Sequence, residues 1–216
     1  VRVLPKSVLY DPEMTLTLPA GMSATSGVNA IAHAVEGLYA PDATPIVSLM
    51  AEEGVRALVA ALPRVVADGA DLEARGEAQY GAWLCGAVLA ATTMSLHHKL
   101  CHTLGGTLDL PHAQTHTVVL PHALAYNQPA APGAVAALSR ALGGVPDPAR
   151  ELWELAGRLG APRSLAELGM AEDDIPRITE LAVANPYANP RPVTRDGVES
   201  LLRTAWAGDP PTALRR

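Results

Sequence analysis

Phenylalanine is absent from this chain of 216 residues, and aromatic residues make up only 4% of it, so a core must be assembled mainly from Ala, Leu and Val. Small side chains of that kind let helices approach one another closely. There are only two cysteines, Cys85 and Cys101, and they do not form a CxxC pair. Both sit in apolar helical patterns and read as buried, reduced thiols. No Lys/Arg-rich run occurs and the formal charge is −6. Phosphate binding draws its affinity from clustered cations, so a nucleic-acid partner is excluded. No apolar stretch reaches the roughly 18 to 20 residues needed to cross a bilayer, and no signal-peptide layout opens the chain. A soluble, cytoplasmic protein with no membrane partner is expected. Also lacking are a fixed-period repeat, a low-complexity tract and a glycine-rich strand-to-helix turn that would cradle a dinucleotide.

What is present is helical periodicity. Residues 1–19 read as an extended, β-like run, VLY, followed by the turn signal Asp11-Pro12 and a stop at Pro19. From Ser23 the apolar residues Val28, Ile31, Val35 and Leu38 share one face of a helix that Pro41 closes, with Asn29, His33 and Glu36 on an adjoining polar face. A second helix is predicted from Pro45 to Pro63. A third, from Asp71 to Thr93, carries Ala and Gly along a nearly smooth face and is expected to be central. The fourth runs from Ser95 to about Leu104, with Gly105-Gly106 as its C-cap, and a fifth covers His112 to Asn127. Further helices are read at 134–142, 148–159, 164–168, 173–185 and Arg195–Ala207, the last preceded by the linker NPYANPRP. The expected fold class is an all-α multi-helix bundle with a short extended N-terminal segment.

Six of the seven histidines fall between His97 and His122, and the seventh, His33, lies on the first helix. His98 and His102 are four residues apart, as are His112 and His116, and as are Asn29 and His33. Residues at that spacing stack on one helical face with Cβ atoms roughly 5–6 Å apart, so each pair aims two polar heads at one point. Pairs of this kind chelate Zn²⁺ or Fe²⁺ without bending the helix. The alternative is metal-free: imidazoles acting as acids, as hydrogen-bond donors and, when protonated, as a positive pocket for a small anion, with Lys99 among them. The same helical register turns His98 and His102 toward a cleft, turns His97 toward packing or a rim contact, and leaves His122 as a helix-end or interface residue.

The segments SGVNAIAHAVEGLYA, SLHHKLCHTLGG, LDLPHAQTHTVVLPHALAYN and NPYANPRPVTRDGVESLL resemble the C-terminal helical domain of the iron-containing alcohol dehydrogenase family, in its maleylacetate reductase branch. The resemblance covers essentially the whole chain. It implies a dehydroquinate synthase-like helical domain over residues 21–216, with residues 1–20 similar to an interdomain junction. It further implies that a nucleotide-binding α/β domain, roughly the first 45% of such a subunit, precedes this part and is absent from the chain. In the metal-dependent members an Asp and three His hold iron or zinc. Those positions fall on Asn29, His33, His98 and His112. An amide in place of the anionic ligand weakens a site for Fe or Zn.

The resemblance implies reduction of maleylacetate to 3-oxoadipate in aromatic-compound degradation, with NADH or NADPH held by the domain outside this chain. His98, His102 and Lys99 are then the catalytic candidates, and Asn29, His33 and His112 hold the substrate's carboxylate or a metal. The implied partners are a small dicarboxylate substrate, a separate nucleotide-binding domain and a second copy in a homo-oligomer. A second reading keeps the pocket and drops the redox step: a stand-alone helical domain that binds a small dicarboxylate or catalyses a cofactor-free step.

Overall fold

The computed structural model describes residues 7–212. These form nine α-helices and three short 3-10 turns, with no strand among the described residues: α1 (Ala20–Leu38), α2 (Pro45–Ala67), α3 (Leu72–Ala91), α4 (Leu96–Leu108), α5 (His112–Asn127), α6 (Pro132–Ala141), α7 (Pro148–Arg158), α8 (Ile175–Ala184) and α9 (Arg195–Ala207). The all-α expectation is met. None of the described helices is long and apolar enough to cross a membrane.

Local chemistry places the ends. Thr44, Asp71, Asp147 and Thr194 each accept a backbone N–H three residues on, as N-cap side chains do. Asp11 accepts from Glu13 N–H at 3.0 Å and starts a 3-10 turn over Pro12–Thr15. The expected β-like run at Val8–Tyr10 finds no pairing partner among the described residues. Gln79 Nε2 instead donates to the Asp11 carbonyl at 3.0 Å and ties this segment to α3. The junction reading of residues 1–20 falls partly on positions 1–6, outside the described residues, and Ala20 already belongs to α1.

Three boundaries differ from the sequence reading. Pro63 does not end α2, which continues to Ala67, because the proline sits on the exposed side where the carbonyl it frees can reach water. Gly105-Gly106 does not cap α4. The helix passes through the pair to Leu108, and Asp109 takes the left-handed conformation (φ 55°) with its N–H on the Gly105 carbonyl. The segment 164–168 is a turn and not a helix.

Two apolar clusters fill the interior. One joins α1, α2 and α3 to α6 and α7 through Ile31, Val35, Leu58, Leu62, Val88 and Leu155. The other joins α4 to α8 and α9 through Leu100, Leu104, Ile175, Ile178, Val198 and Leu202. Helix α5 serves both, with Leu120 and Leu124 on one side and Val119, Ala123 and Tyr126 on the other. It is buried from Thr115 to Asn127, and each fully buried leucine contributes roughly 1.5–3 kcal/mol. The central helix is therefore α5. The expectation that α3 is central fails, since Tyr80, Trp83 and Leu89 of α3 face outward. Its smooth face does what was expected of it locally: a Cβ at Gly81 would lie 3.0 Å from the Gly54 carbonyl, so α2 and α3 touch through their backbones.

Candidate active site

Helices α1, α4 and α5 converge on one point, and the residue that organises it is a carboxylate. Glu36, on the polar face of α1, is fully buried. Ser95 N–H donates to its Oε2 and His97 N–H to its Oε1, each at 2.7 Å. The third partner is His98, whose Nδ1 lies 2.7 Å from Oε2. Glu36 thereby does the capping of α4 that the Ser95 side chain does not. In the sequence it read only as part of a polar stripe. The available signal was its place three residues after His33, on the same face.

From Glu36 the imidazoles run outward. His98 Nε2 and His33 Nδ1 share a hydrogen bond at 2.8 Å. Deeper, His97 Nε2 and His116 Nδ1 share another at 3.0 Å, with Cys101 Sγ 3.7 Å from His97 Nε2. His116 stacks near His98 and His112, with ring centroids 5.0 and 4.3 Å apart. His97 Nδ1 and His116 Nε2 are buried without hydrogen-bond partners. In either tautomer of this neutral pair one N–H has no acceptor, an arrangement that typically costs about 1–3 kcal/mol.

The mouth differs in kind. His102 is exposed, and its Nδ1 lies 3.3 Å from the Tyr187 hydroxyl. Lys99 Nζ sits 5.6 Å from the centroid of the Tyr187 ring. His112, the first residue of α5, is exposed. Asn29 is half-buried with Oδ1 unpartnered. Tyr187 was missed in the sequence because it lies in the proline-rich linker. That linker is strapped to α5: Asn127 and Asn189 exchange amide hydrogen bonds at 2.8 and 2.7 Å, and the Tyr126 hydroxyl donates to the Pro192 carbonyl at 2.6 Å.

The structure thus brings His33, His98, His102, Lys99 and His112 to one region, with Asn29 one turn before His33 on α1, but not in the roles the helical register assigned to all of them. His98 is buried beneath His102 and does not share the mouth with it. His97 turns into the interior, as its packing alternative had it, and is fully buried in the His116 pair. His122 is not a helix-end residue. It lies mid-helix, buried beside Tyr126, Leu201 and Thr204, and burial pushes its pKa down to about 4.

Burial also decides the charge of the cluster. Desolvation first, and then the neighbouring imidazoles, push His33 down to about 4 and His116 down to about 2. The same causes push His97 well below the usual imidazole range. Desolvation, followed by His98 and His112, lowers His102. A positive pocket made of protonated histidines is therefore not what these residues supply near neutral pH. The cation at the mouth is Lys99.

The metal reading fares worse. Among the described residues, the three side chains whose donor atoms gather within 4.8 Å are His97, Cys101 and His116, and not His33, His98 and His112. His33 and His98 spend facing nitrogens on each other, His98 spends its second on Glu36, and Asn29 offers a neutral oxygen. A tightly held divalent ion needs convergent lone pairs, and an anionic ligand strengthens the hold. The expected His33, His98 and His112 ligand set does not fit an iron or zinc ion here.

This fold and this imidazole cluster place the chain in a family: residues 23–206 match the C-terminal model of the Fe-containing alcohol dehydrogenases, and the chain belongs to that family. Within it, the chain is 63% identical over 210 residues to the maleylacetate reductase of Sphingobium indicum, covering 97% of this chain and 59% of that protein. It superposes on the crystal structure of maleylacetate reductase from Rhizobium sp. with a TM-score of 0.93 at 54% identity, covering 96% of this chain and 59% of that one. An iron-containing alcohol dehydrogenase from Corynebacterium glutamicum matches with a TM-score of 0.93 at 42% identity, over 98% of this chain and 60% of that one. The chain spans about three-fifths of the length of the curated relatives it matches.

Proposed function

We propose that this chain is the substrate-side helical domain of a maleylacetate reductase, acting in NAD(P)H-dependent reduction of maleylacetate to 3-oxoadipate. The observation that supports the reading most is the identity of 53–63% to proteins named maleylacetate reductase along nearly the whole chain. The described residues hold no strand, and so no strand-to-helix phosphate cradle; the cofactor is proposed to come on a separate nucleotide-binding domain. Bound there, it supplies hydride to the activated C=C.

What this chain contributes is charge placement. Hydride addition at the carbon β to the ketone leaves enolate charge, which is discharged by protonation at the α carbon, and the donors proposed for the mouth are Lys99, His102 and the Asn29 amide. Lys99 and the exposed His112 stand where a substrate carboxylate would enter. The neutral cluster behind them keeps water and competing protons out of a low-dielectric wall. No step is assigned to a metal, because the donor set does not fit one.

The test joins this chain to the nucleotide-binding domain of the Sphingobium indicum relative and follows NADH oxidation with maleylacetate. Turnover that is lost with Lys99→Ala and His102→Ala supports the reading. An assembled, cofactor-binding enzyme that turns over simple alcohols and ignores maleylacetate overturns it.

A further inference from the structure

We propose that Glu36 is a positioning residue that fixes His98 with its proton on Nδ1, obliging His33 to donate from Nδ1 and to present an unprotonated Nε2 to the cleft. The constraint originates at the N-terminus of α4. The carboxylate that caps it comes from α1, 59 residues earlier, and is fully buried. A buried carboxylate is tolerated only where its lone pairs are met. Backbone N–H groups can only donate, so the bonds from Ser95 and His97 require both Glu36 oxygens to accept. The positive end of a helix favours the same ionised form.

As a carboxylate Glu36 can only accept, so the 2.7 Å contact to His98 places the proton on Nδ1. A neutral imidazole carries one N–H, so Nε2 of His98 is a lone pair. That lone pair lies 2.8 Å from His33 Nδ1, which must then be the donor. His33 in turn has only Nε2 left for the cleft, as a lone pair. The neutral state assumed for His33 agrees with its pKa, pushed down to about 4 by burial and its neighbours.

The consequence for ligands is a division of labour. His33 is an acceptor, suited to a group that brings its own proton, such as an enol or hydroxyl. Donors to developing oxyanion charge must come from Lys99, His102 and Asn29. This last step rests on the proposed substrate; the tautomer assignment does not.

The test is long-range ¹H–¹⁵N correlation on the histidine-labelled 216-residue chain near pH 7.5. Ring signals are assigned through His33→Gln and His98→Gln. The expected wild-type result is pyrrole-type Nδ1 and pyridine-type Nε2 for both His98 and His33. Glu36→Ala, which leaves His98 Nδ1 without an acceptor, should release His98 toward a pyrrole-type Nε2. Wild-type His98 carrying its proton on Nε2, or on both nitrogens, overturns the proposal, and so does an unchanged His98 in a folded Glu36→Ala. If that variant does not fold, the wild-type spectrum decides alone. Failure to turn over maleylacetate would leave the tautomer result untouched.

Discussion

The floor and the mouth of the histidine cluster are built from the same side chain and differ in almost everything else. On the floor, His97, His98 and His116 are buried and held by Glu36 and by each other at 2.7–3.0 Å. At the mouth, His102 and His112 are exposed, and the contact from His102 to Tyr187 is a long 3.3 Å. The Glu36–His98 part of that floor is satisfied and costly to interrupt, while the His97–His116 pair leaves one nitrogen of each ring unpartnered. Exposed groups can reorient at little cost. Substitutions on the floor should be read in stability, and substitutions at the mouth in turnover.

The largest effect expected is Glu36→Ala. It leaves the N–H groups of Ser95 and His97 and the Nδ1 of His98 without their acceptor in a dry interior. Breaking a buried charged network by removing one partner costs on the order of 3–5 kcal/mol. Urea unfolding followed by circular dichroism measures it; a loss under about 1 kcal/mol would mean that water reaches the site.

Next in size is the contrast between His102→Ala and His97→Ala in the two-domain enzyme. Loss of a donor to developing charge typically lowers kcat roughly 10²-fold. His102→Ala should do so with little change in Tm. His97→Ala should chiefly lower Tm, because it opens a cavity and strands the His116 imidazole. Equal kinetic damage from both would erase the distinction between floor and mouth.

The third prediction concerns pH. His122 has a folded pKa of about 4 against an ordinary 6.5, caused by burial. The unfolded chain therefore binds the proton first, so stability is complete above about pH 7 and is lost as pH falls from 6.5 toward 4. For a group this deeply buried the loss is on the order of 3 kcal/mol by pH 4. In His122→Leu the gap between the unfolding free energies at pH 7.5 and 4.5 should narrow by roughly that share, with the buried His33, His97 and His116 keeping the rest. In His102→Ala, at the exposed mouth, most of the wild-type pH dependence should remain.

Floor and mouth were also unequally legible in the sequence. The i, i+4 spacing located the cluster and its helices, since α5 begins at His112 and ends at Asn127 as periodicity predicts. Spacing could not say which histidine lies deep, because that depends on which helix covers which. The choice of α3 as the central helix failed for the same reason: a smooth Ala/Gly face reports how closely a neighbour can approach and not how many neighbours there are. Glu36 read only as one member of a polar stripe because a glutamate on a helix is ordinarily solvated, and its partner, the N-terminus of α4, comes 59 residues later. Tyr187 was hidden in a linker whose placement depends on the Asn127–Asn189 pair.

The smallest effect expected is at that tyrosine. Tyr187→Phe removes the hydroxyl 3.3 Å from His102 Nδ1 and keeps the ring beneath Lys99. A hydrogen bond of this length between exposed groups is worth about 0.5–1 kcal/mol, so kcat should fall only about two- to fivefold. Stability should not change, because Asn189 and Pro192, not Tyr187, strap the linker to α5. Tyr187→Ala also removes the apolar face on which Lys99 rests, and should raise KM for maleylacetate where Tyr187→Phe does not. If Tyr187→Phe were as damaging as His102→Ala, the hydroxyl would be acting directly on substrate, as a further donor of the mouth and not as the support of His102.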